Sequence, residues 1–369
     1  MSKLSVPVVT PFDLATRQTK RSYGSIQLPA QAGVPFPMPK TGFLSKVTAL
    51  VSGTMTVTLG GGTAVIDPVL GAWGFFSRII LAINGSKQVY NIDGLGCYGF
   101  MTLQSSNSQP DYGMIVTPYG HSASVFAAGV GAGANIWKVP FVVQVAPNDD
   151  ELLGGFINMY DALQATLTLQ QPGALYSLTP GIAPVLVTGA ATAVFSGVAK
   201  ISAETFDLPL EQIKATPPGG FLHTINQTQI GLANTGEQQI KLDNEGVYLQ
   251  ILHHMSLNGL GTSVQFDQLA LGSQFSYKHY DMESQFVLTQ QRLMYGRDLP
   301  PGFALIDLFY QGLPNLGGWR DVFDASTVSD FRSFVTITPS ATLGTNPTLR
   351  TYSRVLEPVP AGAAPQVRG

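Results

Sequence analysis

Cysteine is almost missing from this chain: Cys97 stands alone among 369 residues. An intramolecular disulfide is therefore excluded, and the fold has to be held by burial and by assembly. No partner motif surrounds Cys97, which reads as a small buried residue rather than a nucleophile. Charge is scarce as well. Only 12% of residues are charged, with 20 Lys and Arg against 23 Asp and Glu and a net charge of -3. No basic field runs along the chain, so neither duplex binding nor sequence-specific recognition of nucleic acid is expected. Continuous apolar helices are lacking too. The uncharged stretch 162–199 is long enough to cross a membrane, but Gln170, Gln171, Pro172 and Pro180 interrupt it and Thr and Gly run through it. Strands and loops are expected there. Met1 to Pro7 lacks the apolar core and cleavage site of a signal peptide.

What is present points to β-structure. The chain has 40 Gly, 25 Pro and 44% hydrophobic residues, rich in Val, Ile, Phe and Tyr. Many turn formers and β-formers with little charge indicate an all-β protein, and the length suffices for two domains. Gly42 to Gly53 reads as a strand bounded by glycines, and Thr54 to Leu59 alternates as a second. Phe75 to Ile83 is another strand, ended by the hairpin signal Asn84-Gly85. Trp137 to Val145 and Lys200 to Phe206 follow. Beyond a Pro/Gly-rich connection at 209–220 come strands at 238–242 and 247–257, then a second hairpin signal, Asn258-Gly259. Asp281 to Tyr295 is the best long helix, with Asp281 as its cap, Phe286, Gln290, Leu293 and Met294 on one side, and Gly296 at its end. Residues 1–24 read as an extended arm carrying Lys3, Arg17, Lys20 and Arg21. Residues 359–369 read as a flexible tail.

One stretch occurs twice. Pro147-Asn148, then Leu153-Gly154-Gly155-Phe156, and then Tyr160-Asp161-Ala162 match Pro314-Asn315, Leu316-Gly317-Gly318-Trp319 and Phe323-Asp324-Ala325. Apolar residues at i, i+3 and i+7 predict a short helix in each copy, with Leu153, Phe156 and Tyr160 equivalent to Leu316, Trp319 and Phe323. Asn148, Asp149 or Asn315 would cap it. Each copy lies between strand-like runs, so the repeat predicts two units of one architecture.

No residue set converges on chemistry. His253 and His254 lie on a predicted strand with their rings on opposite faces, which rules them out as a joint metal site. His121, His223 and His279 are isolated, and no His-x-His with a following Glu supports a cupin-type metal site. Asp149, Asp150 and Glu151 suit either calcium or a helix N-terminus, with the second account favoured. Nothing selects a carboxylate pair for glycan cleavage. Gly60-Gly61-Gly62 lacks the Lys and Ser/Thr of a phosphate loop and reads as a turn. No Gly-x-Ser-x-Gly elbow occurs. The expectation is no catalytic residue, no metal and no cofactor.

Several segments, in order, resemble the double jelly-roll major capsid proteins of the tectivirus and adenovirus lineage, above all the tectivirus type. They are Gly42 to Ser52, Phe75-Phe76-Ser77-Arg78-Ile79-Ile80-Leu81, and Trp137-Lys138-Val139-Pro140-Phe141 followed by Asp150-Glu151-Leu152-Leu153-Gly154-Gly155. Ile201 to Pro209 completes the set. The resemblance implies two consecutive eight-stranded jelly rolls, at 25–208 and 221–358, with short helices in their loops. It implies a non-enzymatic virion protein that forms pseudo-hexameric homotrimers and tiles an icosahedral shell. It also implies minor capsid and vertex proteins as partners, synthesis in a host cytoplasm, and an internal membrane reached by the N-terminal arm. Two alternatives stay open: a spike or adhesin with carbohydrate-binding jelly rolls, and a two-jelly-roll glycan hydrolase.

Overall fold

The structure is a computed structural model, and it describes residues 17–85, 87–104, 128–146, 157–158, 164–207, 221–273, 278–295, 298–308 and 322–358. The first half contributes β1 (Arg17–Leu28), β2 (Val34–Pro37), β3 (Phe43–Leu59), β4 (Thr63–Ile66), β5 (Arg78–Ile83) and β6 (Lys87–Ile92). Helix α1 (Gly94–Gln104) follows, then β7 (Gly133–Gln144), β8 (Ile157–Asn158), β9 (Ala165–Gln170), β10 (Tyr176–Ser177), β11 (Val185–Thr188) and β12 (Ala191–Asp207). The second half contributes β13 (Phe221–Gly231), β14 (Gly236–Lys241), β15 (Val247–Leu257), β16 (Leu260–Gly261), β17 (Phe266–Ser273) and β18 (Lys278–Glu283). Helix α2 (Ser284–Tyr295) leads into β19 (Phe303–Asp307), β20 (Phe323–Asp324), β21 (Phe331–Ile337) and β22 (Thr348–Pro358).

These strands build two jelly rolls of one topology. In the first, a sheet ordered β1-β12-β3-β7 packs on β2-β9-β5-β6. In the second, β13-β22-β15-β19 packs on β14-β21-β17-β18. Each sheet hides one face. Along β9, Ala165, Leu167 and Leu169 point inward, while Thr166, Thr168 and Gln170 are partly exposed. That period of two is what the pleat imposes on a half-buried strand. The first core is aromatic: Phe75 meets Phe76, Trp137 and Phe195 at centroid distances of 5.1, 5.6 and 4.8 Å. The second is filled from Ile251, Met255, Leu269, Phe331 and Val335.

The duplication extends to irregularities. Ser45 is an extra residue in β3 against β12, between the pairs Leu44/Thr205 and Lys46/Glu204. Leu249 is the extra residue at the corresponding place in β15, between Tyr248/Val355 and Gln250/Arg354. Val89 is extra in β6 against β5, and His279 in β18 against β17. A bulge adds one residue and re-aims the chain. Matched bulges therefore fix the residue equivalence between the rolls: Leu81 with Leu271, Tyr90 with Tyr280, Glu204 with Arg354.

Several expectations are corrected. Residues 43–59 form one strand rather than two, because Gly53 lies opposite Gly197 where β3 and β12 approach closely. A Cβ on Gly197 would sit 2.4 Å from the Ser52 carbonyl oxygen, and one on Gly53 2.4 Å from that of Ser196. Gly197→Val is expected to cost about 1–3 kcal/mol by forced overpacking, whereas Gly173→Ala, with open space around it, should leave the melting temperature unchanged. Equal melting temperatures for the two variants would refute this. Residues 17–24 are not an arm: Arg17 pairs with Asp207 and Lys20 with Glu204 along β1, which satisfies their backbone in the sheet. The strand expected from Phe75 begins at Arg78, because Gly71–Phe75 forms a 3-10 turn that buries Trp73 and Phe75. Both hairpin signals hold, with Asn84 and Gly85 at φ 51° and 79° and Asn258 and Gly259 at 51° and 74°.

The repeat behaves differently from its predicted helix. Ile157–Asn158 is a short strand on β3, and Phe323–Asp324 a short strand on β15. Each copy of the repeat thus lays two residues on the corresponding strand of its own roll. The sequence alignment, however, pairs Phe323 with Tyr160, so the structural match is displaced along the chain. Asp324 caps a 3-10 turn at Ala325–Thr327, and the Phe323 ring stacks on Phe331 at 4.6 Å. Leu153, Phe156, Tyr160, Leu316 and Trp319, the connection at 209–220 and the tail at 359–369 lie outside the described residues.

Candidate assembly interface

The chemistry that distinguishes this chain is buried between its two rolls. Strand β6 pairs with β13 in parallel, Tyr90 opposite Ile225 and Asn91 opposite Asn226, and so joins a sheet of the first roll to a sheet of the second. Helix α1 fills the remaining gap. Its sequence, Gly-Leu-Gly-Cys-Tyr-Gly-Phe-Met-Thr-Leu-Gln, is apolar on every side, which suits a helix covered all round. Leu95 to Leu103 are all buried. Glycines set its spacing: a Cβ on Gly96 would come within 2.3 Å of the Tyr352 ring, and one on Gly99 within 2.6 Å of Leu252.

Asp93 is the polar centre of the seam. It precedes α1 and accepts from the Gly96 N–H at 2.8 Å, the Tyr352 hydroxyl at 2.9 Å and Gln227 Nε2 at 3.0 Å. Its own N–H donates to Gln227 Oε1 at 2.7 Å. Arg350 approaches to 3.4 Å, an ion pair without hydrogen-bond alignment. Arg350 also donates to the Gly181 carbonyl of the first roll at 3.3 Å. A second arginine, Arg354, lies 4.9 Å over the Phe100 ring and donates to Gln144 and Gln250. Burial pulls its guanidinium pKa down to about 10. Lys87 pairs with Glu357 at the rim.

Two buried histidines, His223 and His254, border this seam, and a third, His253, lies inside the second roll. His223 Nδ1 donates to the Val145 carbonyl at 2.8 Å, across the seam. His253 lies between Thr351 and Ser333, each 3.0 Å away. His254 points to the other side of β15, against Phe303, and neither of its ring nitrogens has a hydrogen-bond partner among the described residues. Burial lowers the pKa of His223 and of His253 to about 3, and holds His254 well below the ordinary histidine range. Arg354 beside His223 and Arg350 beside His254 act in the same direction.

The other candidates from the sequence are dispersed. His279 is on the surface near Phe323, while His121, Asp149, Asp150 and Glu151 lie outside the described residues. Gly60 to Gly62 forms the β3–β4 turn. Cys97 is buried on α1, its Sγ donating to the Val142 carbonyl at 3.2 Å, and burial pushes its pKa up to about 12. Among the described residues no three His, Cys, Asp or Glu side chains gather into a metal site. Among them, too, no helix is long and apolar enough to cross a membrane. Sequence reasoning missed Asp93, Arg350, Arg354 and α1 entirely. The all-apolar, glycine-spaced run 94–103 was the available signal.

Helix α2 corrects a further expectation. Asp281 is not its cap but a residue of β18, paired with Ala270, and the helix starts at Ser284. Its buried residues are Ser284, Val287 and Gln291. Phe286 and Leu293 are 60% and 79% exposed instead.

No family model and no curated protein matches the sequence. Solved structures do match. The crystal structure of the STIV MCP superposes with a TM-score of 0.69 at 13% identity, covering 95% of this chain and 99% of that one. The PBCV-1 virus capsid gives 0.57 at 11% identity, over 92% and 94% of the two chains. The major capsid protein P2 from bacteriophage PM2 gives 0.51 at 9% identity, over 93% and 98%. The shared feature is the fold, two jelly rolls in one chain, over nearly the full length of both partners.

Proposed function

We propose that this chain is a structural coat protein: the major capsid protein of an icosahedral virus, assembled as homotrimers that present six jelly rolls and tile a shell. The observation that carries the reading is the duplicated roll with matched bulges, superposable over 95% of this chain and 99% of a viral MCP. Two rolls joined rigidly through a buried seam give three copies a six-part outline, the shape that packs a flat facet. Rolls bounded as 25–208 and 221–358, linked through 209–220, belong to this proposal, as do a location in the virion and the absence of a catalytic or cofactor role. So do contacts with minor capsid and vertex proteins.

The arm reading now concerns residues 1–16 alone, with Lys3 as its cation, since Arg17, Lys20 and Arg21 belong to β1. We assign those residues to neighbouring subunits or to anionic lipid beneath the shell. Purified protein is expected to scatter light as a trimer, and negatively stained preparations from assembling material to show closed particles. Deleting residues 2–16 should leave the trimer and reduce particle yield. A monodisperse monomer at high concentration would refute the reading, and particles in normal yield from the truncated chain would refute the role of the arm.

A further inference from the structure

One buried cation of the seam makes no ion pair among the described residues. The sheet face turned towards the first roll carries a row fixed by the pairing register: Tyr90 of β6 opposite Ile225, Ile225 opposite Arg354, and Arg354 opposite Gln250. His223 is two residues from Ile225 on the same face, since side chains alternate along a strand. The end of β7 and the residue after it cover the row: Arg354 Nη2 donates to Gln144, and His223 Nδ1 to the Val145 carbonyl at 2.8 Å. Three polar atoms here have no hydrogen-bond partner among the described residues: Arg354 Nε, the Tyr90 hydroxyl and His223 Nε2. Their residues are only 4%, 1% and 1% exposed. Ile225, shorter than its two neighbours, separates Tyr90 from Arg354, so the polar tips stand above it. The carboxylates of the packed elements are committed elsewhere. Asp93 faces Arg350, Glu357 is held by Lys87 and Thr224, and Asp307 lies beyond Gln250, accepting from Gln250 and Tyr295. A buried charge calls for a partner of opposite sign, and a water molecule in the site would supply hydrogen bonds without one.

We infer that this site binds one small monovalent anion of the halide class, held by Arg354 Nε–H and the Tyr90 hydroxyl, with a proton taken up on His223 Nε2 as the third donor. The single free guanidinium donor selects the class. Nη1 is given to Gln250 and Nη2 to Gln144, so the two-pronged fork that a carboxylate or phosphate prefers is not on offer. The Tyr90 hydroxyl can turn to the ion, because the Cys97 thiol beside it gives its own hydrogen to the Val142 carbonyl. His223 sets the pH dependence. The Val145 carbonyl can only accept, so Nδ1 carries a hydrogen and Nε2 is a bare acceptor until the ring is protonated. Burial and the Arg354 charge oppose that proton in the ion-free site. An anion between the two cations offsets the Arg354 effect. Ion and proton therefore strengthen each other's binding by the same factor.

Bromide is the direct probe. Crystals of the full chain grown in bromide are expected to show an anomalous peak in contact with Arg354 Nε and the Tyr90 hydroxyl. Water density there without an anomalous peak overturns the inference. In solution, chloride in place of methanesulfonate at constant ionic strength should raise the melting temperature by about 2 °C, as a ligand of the folded state does. The shift should be larger at about pH 5 than at about pH 7, because the bound ion brings a proton with it. Tyr90→Phe keeps the ring and removes one O–H. It should fold and lose most of the chloride shift. Equal melting temperatures in the two salts overturn the inference, as does a shift of the same size in Tyr90→Phe or at both pH values. The site lies within one chain, so none of these results bears on the coat reading.

Discussion

Replacing Asp93 by alanine is expected to lower the stability of the folded chain by about 3–5 kcal/mol, the range for removing one partner of a buried ion pair. The side chain accepts three hydrogen bonds and faces Arg350, whose own side chain is only 4% exposed. After the substitution Arg350 keeps only the neutral Gly181 carbonyl and Thr348 hydroxyl as hydrogen-bond acceptors, and Asp67 as the carboxylate that its charge still senses. The Tyr352 hydroxyl and the first turn of α1 lose their acceptor at the same time. Seam and fold are then coupled, because Tyr352, Phe303 and Leu252 of the second roll belong to the core cluster of the first. The melting temperature should fall by about 10 °C, and Cys97 should become reactive to thiol reagents as α1 is exposed. Asp93→Asn, which keeps two acceptor-capable contacts without the charge, should lie between wild type and Asp93→Ala. A loss under about 1 kcal/mol, with Cys97 still protected, would show that the seam does not depend on Asp93.

Acidification should unfold the protein well before its carboxylates alone would require it. His223 and His253 are held neutral in the folded chain down to about pH 3, against 6.5 when exposed, and His254 is lowered further still. A histidine depressed in the folded state contributes stability that is fully present above pH 6.5 and is lost as the pH falls from 6.5 towards 3, because the unfolded chain then binds the extra proton. At pH 4.5 each of the first two has forfeited about 3 kcal/mol, and His254 adds to the loss. That total is comparable with the roughly 5–15 kcal/mol that holds a domain folded. Asp67 acts oppositely: burial raises its pKa, so its protonation on acidification offsets part of the loss. Denaturant midpoints should be flat above pH 7 and fall steeply from 6.5 to 4.5. His223→Asn, which removes one of the three, should make that slope shallower. A wild-type midpoint unchanged between pH 7 and pH 4.5 would contradict the burial of these rings.

The coat reading was reachable from short segments in order, such as Phe75 to Leu81 and Trp137 to Phe141, because they sit in the cores that define a jelly roll. The polar seam was not. Asp93, Arg350 and Arg354 are ordinary charged residues far apart in sequence, and nothing local tells a buried arginine from an exposed one. The mistaken face of α2 has the same origin. Phe286 and Leu293 form an apolar stripe by spacing, and spacing alone cannot say which side of a helix the rest of the fold covers.

The sequence by itself pointed to the β-class through its composition, to the two Asn-Gly turns through their dipeptides, and to a buried Cys97 through the lack of any partner motif. These depend on local backbone preference and on a period of two along each strand, both carried by neighbouring residues. The tertiary structure alone decided that 43–59 is one strand, that 17–24 belongs to a sheet, and that Asp93 and Arg350 meet between the rolls. Each of these depends on what stands opposite a residue across more than a hundred positions of chain: Gly197 opposite Gly53, Asp207 opposite Arg17, Arg350 opposite Asp93.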